Sequence, residues 1–237
     1  DTKVRFSIQS ISKIITLAVA LEICGFDQVF KKVGMEPTGD PFNSLMKLEN
    51  TDSSPYNPMI NAGAIVVASC LASEISFDTM LDTIRALCMD PDINLDKKVY
   101  HSEMSHISRN RAIAYLLESK GYIEKNKDVE NSLHFYVKMC SLSVTAESLA
   151  GLGLILANDG IHPDTGKRLL SSQAVKIVKT LMFTCGMYDG SGEFAVRVGI
   201  PSKSGVGGGI LSVVDGEMGI GLFGPALDKK GNSIAGQ

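Results

Sequence analysis

The sequence has no feature of a nucleic-acid-binding, membrane-spanning or repeat protein. Its formal net charge at pH 7 is −3, and no cluster of lysines and arginines stands out, which argues against nucleic acid as a main partner. No apolar run is long enough to span a membrane, and we find neither an internal repeat nor a low-complexity segment. With 44% hydrophobic and 21% charged residues, the composition is typical of a soluble globular protein.

Spacings typical of metal sites and of disulfide or redox motifs are absent as well. The four histidines, at positions 101, 106, 134 and 162, form neither HExxH nor a comparable ligand pattern, so we predict no metal site and no cofactor. The five cysteines are odd in number, scattered and without C-x-x-C spacing. This favours buried free thiols in a reducing compartment, and we therefore expect a cytoplasmic protein.

The length of 237 residues suits one large domain or two interleaved subdomains. We predict a single catalytic domain over 1–237, with a mainly helical region at about 25–165 and a helix-and-sheet region formed by 1–24 and 166–237. The chain begins at Asp1 rather than at methionine and shows no signal-peptide pattern. Because its best site motif follows almost at once, we expect that its own N-terminal part is missing.

The hydrophobic pattern predicts helices first and an antiparallel sheet last. Strands are predicted at 4–8, 194–198, 206–214 and 219–223, and Asp215-Gly216 is a hairpin signal between the last two. The order of elements is an α+β pattern. The predicted helices cover 10–24, 26–33, 58–73, 77–89, 102–121, 129–140, 146–158 and a last one capped by Ser171 or Ser172, with an irregular stretch at 35–56.

The strongest chemical signal is Ser10-Ile11-Ser12-Lys13 at the start of an apolar helix. Residues three apart share a helical face, and both burial and the positive end of the helix dipole favour a neutral lysine. Lys13 could therefore take the proton of the Ser10 hydroxyl. Chance alone supplies roughly one S-x-x-K in a chain of this length, and from the spacing alone a helix-capping Ser10 beside a Lys13 whose amine reaches water is the preferred interpretation. A second copy, Ser44-Leu45-Met46-Lys47, is interpreted as a solvated surface pair.

A second motif, Lys203-Ser204-Gly205, opens a glycine-rich segment. Glycine within a strand indicates close approach of a backbone, helix or ligand, or else a sheet with a bulge. S-x-x-K followed far downstream by Lys-Ser/Thr-Gly is the pair that marks serine β-lactamases and penicillin-binding proteins. The two motifs together favour serine-based acyl transfer over a merely structural role.

Four segments together resemble the serine-dependent glutaminases, and the resemblance runs from Asp1 to the end of the chain. It implies a β-lactamase-like fold, hydrolysis of L-glutamine to L-glutamate and ammonia, and assembly as a homodimer or homotetramer. The segments are Phe6-Ser7-Ile8-Gln9-Ser10-Ile11-Ser12-Lys13, Asn57-Pro58-Met59-Ile60-Asn61-Ala62-Gly63-Ala64, Cys185-Gly186-Met187-Tyr188-Asp189 and Lys203-Ser204-Gly205-Val206.

The resemblance also implies the roles of catalytic residues. Ser10 matches the nucleophile and Lys13 its partner base. Tyr188 matches a tyrosine implicated in proton transfer, and Val206 matches a residue whose backbone N–H joins that of Ser10 in the oxyanion hole.

The resemblance further implies which residues bind glutamine. Asn61 matches a substrate-binding asparagine, Glu103 and Asn110 match the pair that holds the amino-acid end, and Tyr136 matches a substrate-contacting tyrosine. Ser10, Tyr188 and Val206 contact the substrate as well. Without the resemblance, a solvated Glu103, capping asparagines and a core Tyr136 would be preferred.

Two departures from the family keep alternatives open. The resemblance implies a preceding N-terminal segment that supplies an additional active-site tyrosine, and we expect that this segment is missing from the chain, so no residue is assigned to that role. No Ser-Asp-Asn motif of the β-lactamase type is present, although Ser108-Arg109-Asn110 has its outline. The alternatives are a β-lactamase or penicillin-binding-type serine hydrolase and a non-catalytic amino-acid-binding domain.

Overall fold

The computed structural model describes residues 1–38, 54–125 and 127–237. Its strands are β1 Phe6–Ser7, β2 Asn94–Leu95, β3 Leu142–Val144, β4 Ser202–Ser204, β5 Gly209–Val214 and β6 Met218–Phe223. Short 3-10 helices cover Gln9–Ile11 and Tyr188–Gly190. The α-helices are α1 Ser12–Ile23, α2 Phe26–Phe30, α3 Asn61–Leu71, α4 Phe77–Leu87, α5 Lys97–Ser105, α6 Ser108–Ser119, α7 Val129–Cys140, α8 Ala146–Ala157, α9 Ser172–Cys185 and α10 Ser191–Arg197.

The strands form two small antiparallel sheets. One has the order β1-β3-β2, with Phe6 opposite Val144 and Asn94 opposite Ser143. The other has the order β4-β5-β6 and closes through a hairpin in which Val214 faces Met218. The hairpin predicted from Asp215-Gly216 is therefore confirmed. Its turn holds a third residue, Glu217, and the middle residue, Gly216, has the left-handed φ of 71° that glycine adopts readily.

Helix α1 lies at the centre of the core. Ile14, Ile15 and Leu17 are fully buried, and so is the rest of the helix as far as Leu21. It contacts α3, α7 and α9, so it is apolar on every side, as its sequence predicts. Truncating Leu17 to alanine would cost about 2–5 kcal/mol, because a cavity would remain in a packed interior.

Helix α8 lies against β5 and β6 at unusually short range. A Cβ atom on Gly219 would come within 2.2 Å of the Ala150 carbonyl oxygen, and one on Gly221 within 1.9 Å of the Ala146 oxygen. Both distances exclude any side chain. The small residues of β6 therefore let the helix backbone rest directly on the sheet, which fixes where β5 and its neighbour β4 run.

Three predicted elements differ from the structure. The segment 194–198 is not a strand but part of helix α10, in which Glu193 and Arg197 form an i,i+4 ion pair at 3.0 Å. Over only five residues, the hydrophobic pattern does not distinguish a strand from a short helix. The predicted strand 206–214 begins only at Gly209. The predicted helix 102–121 is two helices, α5 and α6, because the backbone leaves helical geometry at His106.

Other predictions are confirmed or lie outside the described residues. Helix α7 has the predicted bounds, and Ser76 and Ser171 cap α4 and α9 through their hydroxyls. All five cysteines are free thiols, with Cys24 and Cys185 only partly buried. Among the described helices, none has both the length and the hydropathy that crossing a membrane requires. Ser44-Lys47 falls in the undescribed segment 39–53.

Candidate active site

Ser10 and Lys13 lie at the junction of the first 3-10 helix with α1. Ser10 is 7% exposed and Lys13 only 2% exposed. Ile11 and not Ser10 occupies the N-cap of α1, and no side chain caps that helix. The Lys13 amine turns inward, donating to Asn61 Oδ1 at 2.8 Å and to the Met59 carbonyl at 3.1 Å. A capping serine beside a solvated lysine is therefore not what the chain forms.

Burial changes the protonation of Lys13. Loss of hydration lowers its pKa to about 8, with a smaller opposing effect from Cys140. This is the direction that the sequence predicted. A neutral amine has two hydrogens to donate, and Asn61 Oδ1 and Met59 O accept both. The lone pair of the neutral amine is then left for another proton.

Tyr188 meets Ser10 from the second 3-10 helix. Its hydroxyl is buried, and the Ser10 side chain and the Val206 backbone lie close enough to it to lower its pKa, against the larger effect of burial. Burial raises the pKa of Tyr188 to about 12, so the phenol stays protonated at neutral pH. Ser191 fixes the turn, because its hydroxyl accepts from Met187 N at 3.0 Å and donates to the Tyr188 carbonyl at 2.8 Å.

Val206 lies in the tight turn between β4 and β5 rather than within a strand. A Cβ atom on Gly205 would be 2.8 Å from the Ile8 carbonyl oxygen, and one on Gly207 would be 2.2 Å from the Ser7 oxygen. The flanking glycines therefore allow the turn to approach the backbone that leads into Ser10. This contact explains the glycine-rich segment, which the sequence associated with a close approach.

Three of the predicted glutamine-binding residues lie on helices α3, α5 and α6 and are joined to each other or to the Ser10 segment by hydrogen bonds. Asn61, at the start of α3, donates through Nδ2 to Asn110 Oδ1 of α6 at 3.1 Å. Glu103 of α5 accepts from Gln9 Nε2 at 3.1 Å. Lys13, Asn61 and Asn110 are thus linked in one chain of hydrogen bonds, and Glu103 is linked to the residue before Ser10.

Tyr136 approaches from α7. It is 7% exposed, and burial, its hydrogen-bonding neighbour Cys140 and the charge of Glu103 all raise its pKa well above the usual value. Cys140 in turn accepts a hydrogen bond from Ser12 Oγ at 3.7 Å. Of the eight residues that the resemblance implies, Ser10 and Lys13 share one segment, and the other six lie on separate segments of the chain.

Sequence reasoning missed two residues of this neighbourhood. Gln9, which orients Glu103, has a φ of 48°, a left-handed conformation rarely adopted by residues with a side chain. Lys203 was recognised only as part of a motif, yet its amine lies 4.6 Å from the centre of the Tyr188 ring. The signal for Gln9 was its place directly before Ser10 in the quoted segment.

Comparisons with known proteins identify the family to which the chain is similar. A family model for glutaminase matches residues 1–237. The chain is 54% identical to a glutaminase of Fusobacterium nucleatum over 240 residues, covering 100% of this chain and 78% of that protein. It is 52% identical to glutaminase 2 of Clostridium perfringens, covering 98% of this chain and 77% of that protein.

Solved structures give the same result. A crystal structure of a probable Bacillus subtilis glutaminase superposes with a TM-score of 0.94 at 41% identity, covering 100% of this chain and 79% of that chain. Another crystal structure of a B. subtilis glutaminase is of its covalent complex with 5-oxo-L-norleucine, formed by reaction of that protein with 6-diazo-5-oxo-L-norleucine. It superposes with a TM-score of 0.87 at 38% identity, covering 100% of this chain and 78% of that chain.

The resemblance predicted from four sequence segments and the α+β, β-lactamase-like fold are both confirmed by these matches. The relatives are longer than this chain, of which they match nearly the whole. The chain belongs to the glutaminase family, and it is an amidohydrolase that acts on the side-chain amide of glutamine.

Proposed function

We propose that the chain hydrolyses L-glutamine to L-glutamate and ammonia through an acyl-enzyme formed on Ser10. The observation that carries the proposal is that Ser10 and the buried Lys13 lie together where the first 3-10 helix leads into α1, with the Lys13 amine held by Asn61 and Met59 and with Tyr188 close to the Ser10 side chain. A serine needs such a base to become nucleophilic, and an amide needs an acid for its leaving nitrogen.

In the first half-reaction, Ser10 Oγ attacks the side-chain carbonyl carbon of glutamine while its proton passes to the Lys13 amine. The carbonyl oxygen becomes negative and is held by the backbone N–H groups of Ser10 and Val206. When the C–N bond breaks, the proton passes through Tyr188 to the nitrogen, which leaves as ammonia. Removing one oxyanion donor typically costs about 3–4 kcal/mol of transition-state stabilisation.

In the second half-reaction, water attacks the ester carbon. The water proton follows the reverse route to Ser10 Oγ, and the ester C–O bond breaks to give the glutamate side-chain carboxylic acid, which ionises in water. Atoms balance with one water consumed and one ammonia released. Neither step needs an oxidant or reductant.

The amino-acid end of glutamine is zwitterionic and needs both signs of partner. We assign its ammonium to the Glu103 carboxylate, which Gln9 orients. Its carboxylate goes to the neutral donors Asn61, Asn110 and Tyr136. Because the pKa of Tyr136 is raised, its hydroxyl keeps a proton to donate.

The covalent complex of the B. subtilis relative supports this chemistry, since that protein reacts with a diazoketone analogue of the glutamine side chain. We expect the same reagent to label this chain on Ser10. Labelling followed by peptide mass analysis would identify the modified residue directly.

The test is ammonia release from L-glutamine by the full chain and by Ser10→Ala. We expect a loss of about 10³-fold or more, because the nucleophile is removed. Ser44→Ala and Lys47→Met are matched controls with the same S-x-x-K spacing, and they should retain wild-type activity and labelling. Undiminished turnover in Ser10→Ala would overturn the assignment of the nucleophile. Hydrolysis of a chromogenic β-lactam with none of glutamine would overturn the substrate.

We also propose that the protein works in the cytoplasm as a homodimer or homotetramer. Five free thiols support a reducing compartment, and the oligomer is carried by the family resemblance alone. Light scattering at micromolar concentration tests the second point, and a monomeric mass with full activity would exclude it.

A further inference from the structure

Lys203 is a buried lysine that has no role in the reaction proposed above. It occupies the middle of β4, opposite Leu211 of β5, and its side chain is fully buried. The amine donates to the Gly186 carbonyl at 3.1 Å and to the Ser204 carbonyl at 2.6 Å. Isolated lysine side chains are almost never buried so completely, because the loss of hydration is costly.

The two acceptors belong to different parts of the site. Gly186 lies two residues before Tyr188, and it also accepts a backbone hydrogen bond from Ser204 N at 3.1 Å. Ser204 lies two residues before Val206. One amine therefore joins the segment that carries the tyrosine hydroxyl to the turn that carries the proposed oxyanion N–H.

The packing around this link leaves no room for adjustment. A Cβ atom on Gly186 would be 1.7 Å from the Ser202 carbonyl oxygen, so the backbone of that residue is in direct contact with β4. The Lys203 amine also lies 4.6 Å from the centre of the Tyr188 ring. It therefore touches both the ring and the backbone that sets the position of the ring.

The groups that face Lys203 come from every element around it. Loss of hydration and the Lys13 amine lower its pKa, whereas the thiols of Cys185 and Cys140 oppose that change. Only one of these neighbours, Lys13, is basic. A neutral Lys203 avoids repulsion between two buried amines and still has two hydrogens for its two carbonyl acceptors.

We propose that Lys203 is a positioning residue for the reaction: its amine ties the Gly186 and Ser204 carbonyls together and so holds the Tyr188 hydroxyl and the Val206 N–H on the same side of Ser10. The inference rests on the proposed Ser10 chemistry. Lys203 itself transfers no proton in this proposal, because its amine donates to the two carbonyls.

The test compares Lys203→Met, which keeps the length of the side chain without its donors, with Lys203→Gln, which restores one donor group. Ser202→Ala, on the same strand as Lys203, is the matched control, because it removes a buried hydrogen bond to Ser212 of β5 and leaves the Gly186 and Ser204 carbonyls in place. We expect Lys203→Met to lower kcat about 10²-fold with KM for glutamine within about threefold of wild type, the cost of a misplacement near 1 Å. Lys203→Gln should recover part of kcat, and Ser202→Ala should keep it.

Hydrogen exchange gives a readout that does not depend on turnover. In Lys203→Met, amides of residues 186–190 and 204–208 should exchange about tenfold faster at unchanged exchange elsewhere, as expected for local opening. Unchanged exchange together with wild-type kcat would overturn the proposal, and so would a loss of kcat that only follows the folded fraction. If both Lys203 variants fail to fold, the lysine is a folding residue and the proposal is wrong. If the wild type does not hydrolyse glutamine but the exchange effect is present, the proposed function fails while the link between the two segments stands.

Discussion

The pKa of Lys13 makes a direct prediction about the pH dependence of catalysis. The base must be neutral, and burial lowers the pKa of Lys13 to about 8. At pH 7 only about a tenth of the molecules then carry the neutral amine, and each further unit downward removes another factor of about ten. We therefore expect kcat/KM for glutamine to rise with unit slope up to about pH 8 and to level off above it. Tyr188, with a pKa of about 12, gives no descending limb in the working range.

Asn61→Asp should shift this rise in kcat/KM, the ascending limb of the pH profile, in a direction that can be calculated. It places a carboxylate where Asn61 Oδ1 now lies 2.8 Å from Lys13 Nζ. Even with the dielectric constant of water, two unit charges at that distance attract by about 1.5 kcal/mol, which is about one pKa unit. A negative neighbour stabilises the ammonium form, so the limb moves to higher pH by at least about one unit.

The assay measures kcat/KM for ammonia release from pH 6 to 10. The quantity compared is the pH at which kcat/KM levels off (the position of the rising limb), not the maximum value of kcat/KM (its height). Asn61 is itself a proposed glutamine ligand, so the height falls for a second reason. Asn110→Asp is the graded control, because its carboxylate would lie one hydrogen bond farther from Lys13 and should produce a smaller shift. A limb that stays within about 0.3 unit in Asn61→Asp would refute Lys13 as the titrating base.

Three further predictions concern stability and substrate binding. Between about pH 8 and 10.5 the folded protein holds fewer protons on Lys13 than the unfolded chain does. The free energy of unfolding of the wild type should therefore rise by about 3 kcal/mol over that window relative to Lys13→Met. Urea unfolding that gives the two proteins the same pH dependence would contradict this. Gly207→Ala forces a Cβ atom to within 2.2 Å of the Ser7 oxygen and should cost both stability, about 1–3 kcal/mol by thermal unfolding, and kcat, whereas Gly216→Ala in the open hairpin turn should leave kcat unchanged. Gln9→Ala frees the carboxylate that it orients and should raise KM for glutamine more than it lowers kcat, and an unchanged KM would remove Gln9 from the site.

Periodicity and capping signals were sufficient for most of the fold. Helix α7 has the predicted bounds because its apolar positions recur at helical spacing. The same argument fails at 194–198, since four apolar residues around Arg197 fit a strand and a short helix equally well. It also fails at β2 Asn94–Leu95, where a two-residue strand exists only because β3 lies beside it. Local pattern therefore fixes long elements and leaves short ones to tertiary contacts.

The candidate site likewise combines features that follow from local sequence with features that depend on long-range contacts. The spacing of Ser10 and Lys13 is local, and it indicated a shared face and a neutral amine before any contact was known. The partners of that amine are 46 and 48 residues farther along the chain, a distance over which no periodic pattern acts. The roles of the eight residues came from the resemblance to a family and stay predictions. Lys203 shows this limit of sequence reasoning most clearly, because the Lys203-Ser204-Gly205 motif identified the residue but indicated no role for its amine.

Two residues close to Ser10 have strained backbone conformations, and this strain indicates the role of the contacts around them. Gln9 has a φ of 48° and Tyr188 a φ of 51°, conformations that cost residues with a side chain about 1–2 kcal/mol each. Strain of this size persists only where neighbours hold it. Around Gln9 that constraint comes from the Gly207 contact with Ser7, and around Tyr188 it comes from the two hydrogen bonds of Ser191. Since both strained residues touch groups proposed to act on glutamine, the stability given up there keeps the Glu103 carboxylate and the Tyr188 hydroxyl in place before the substrate arrives, which lowers the reorganisation needed in the transition state.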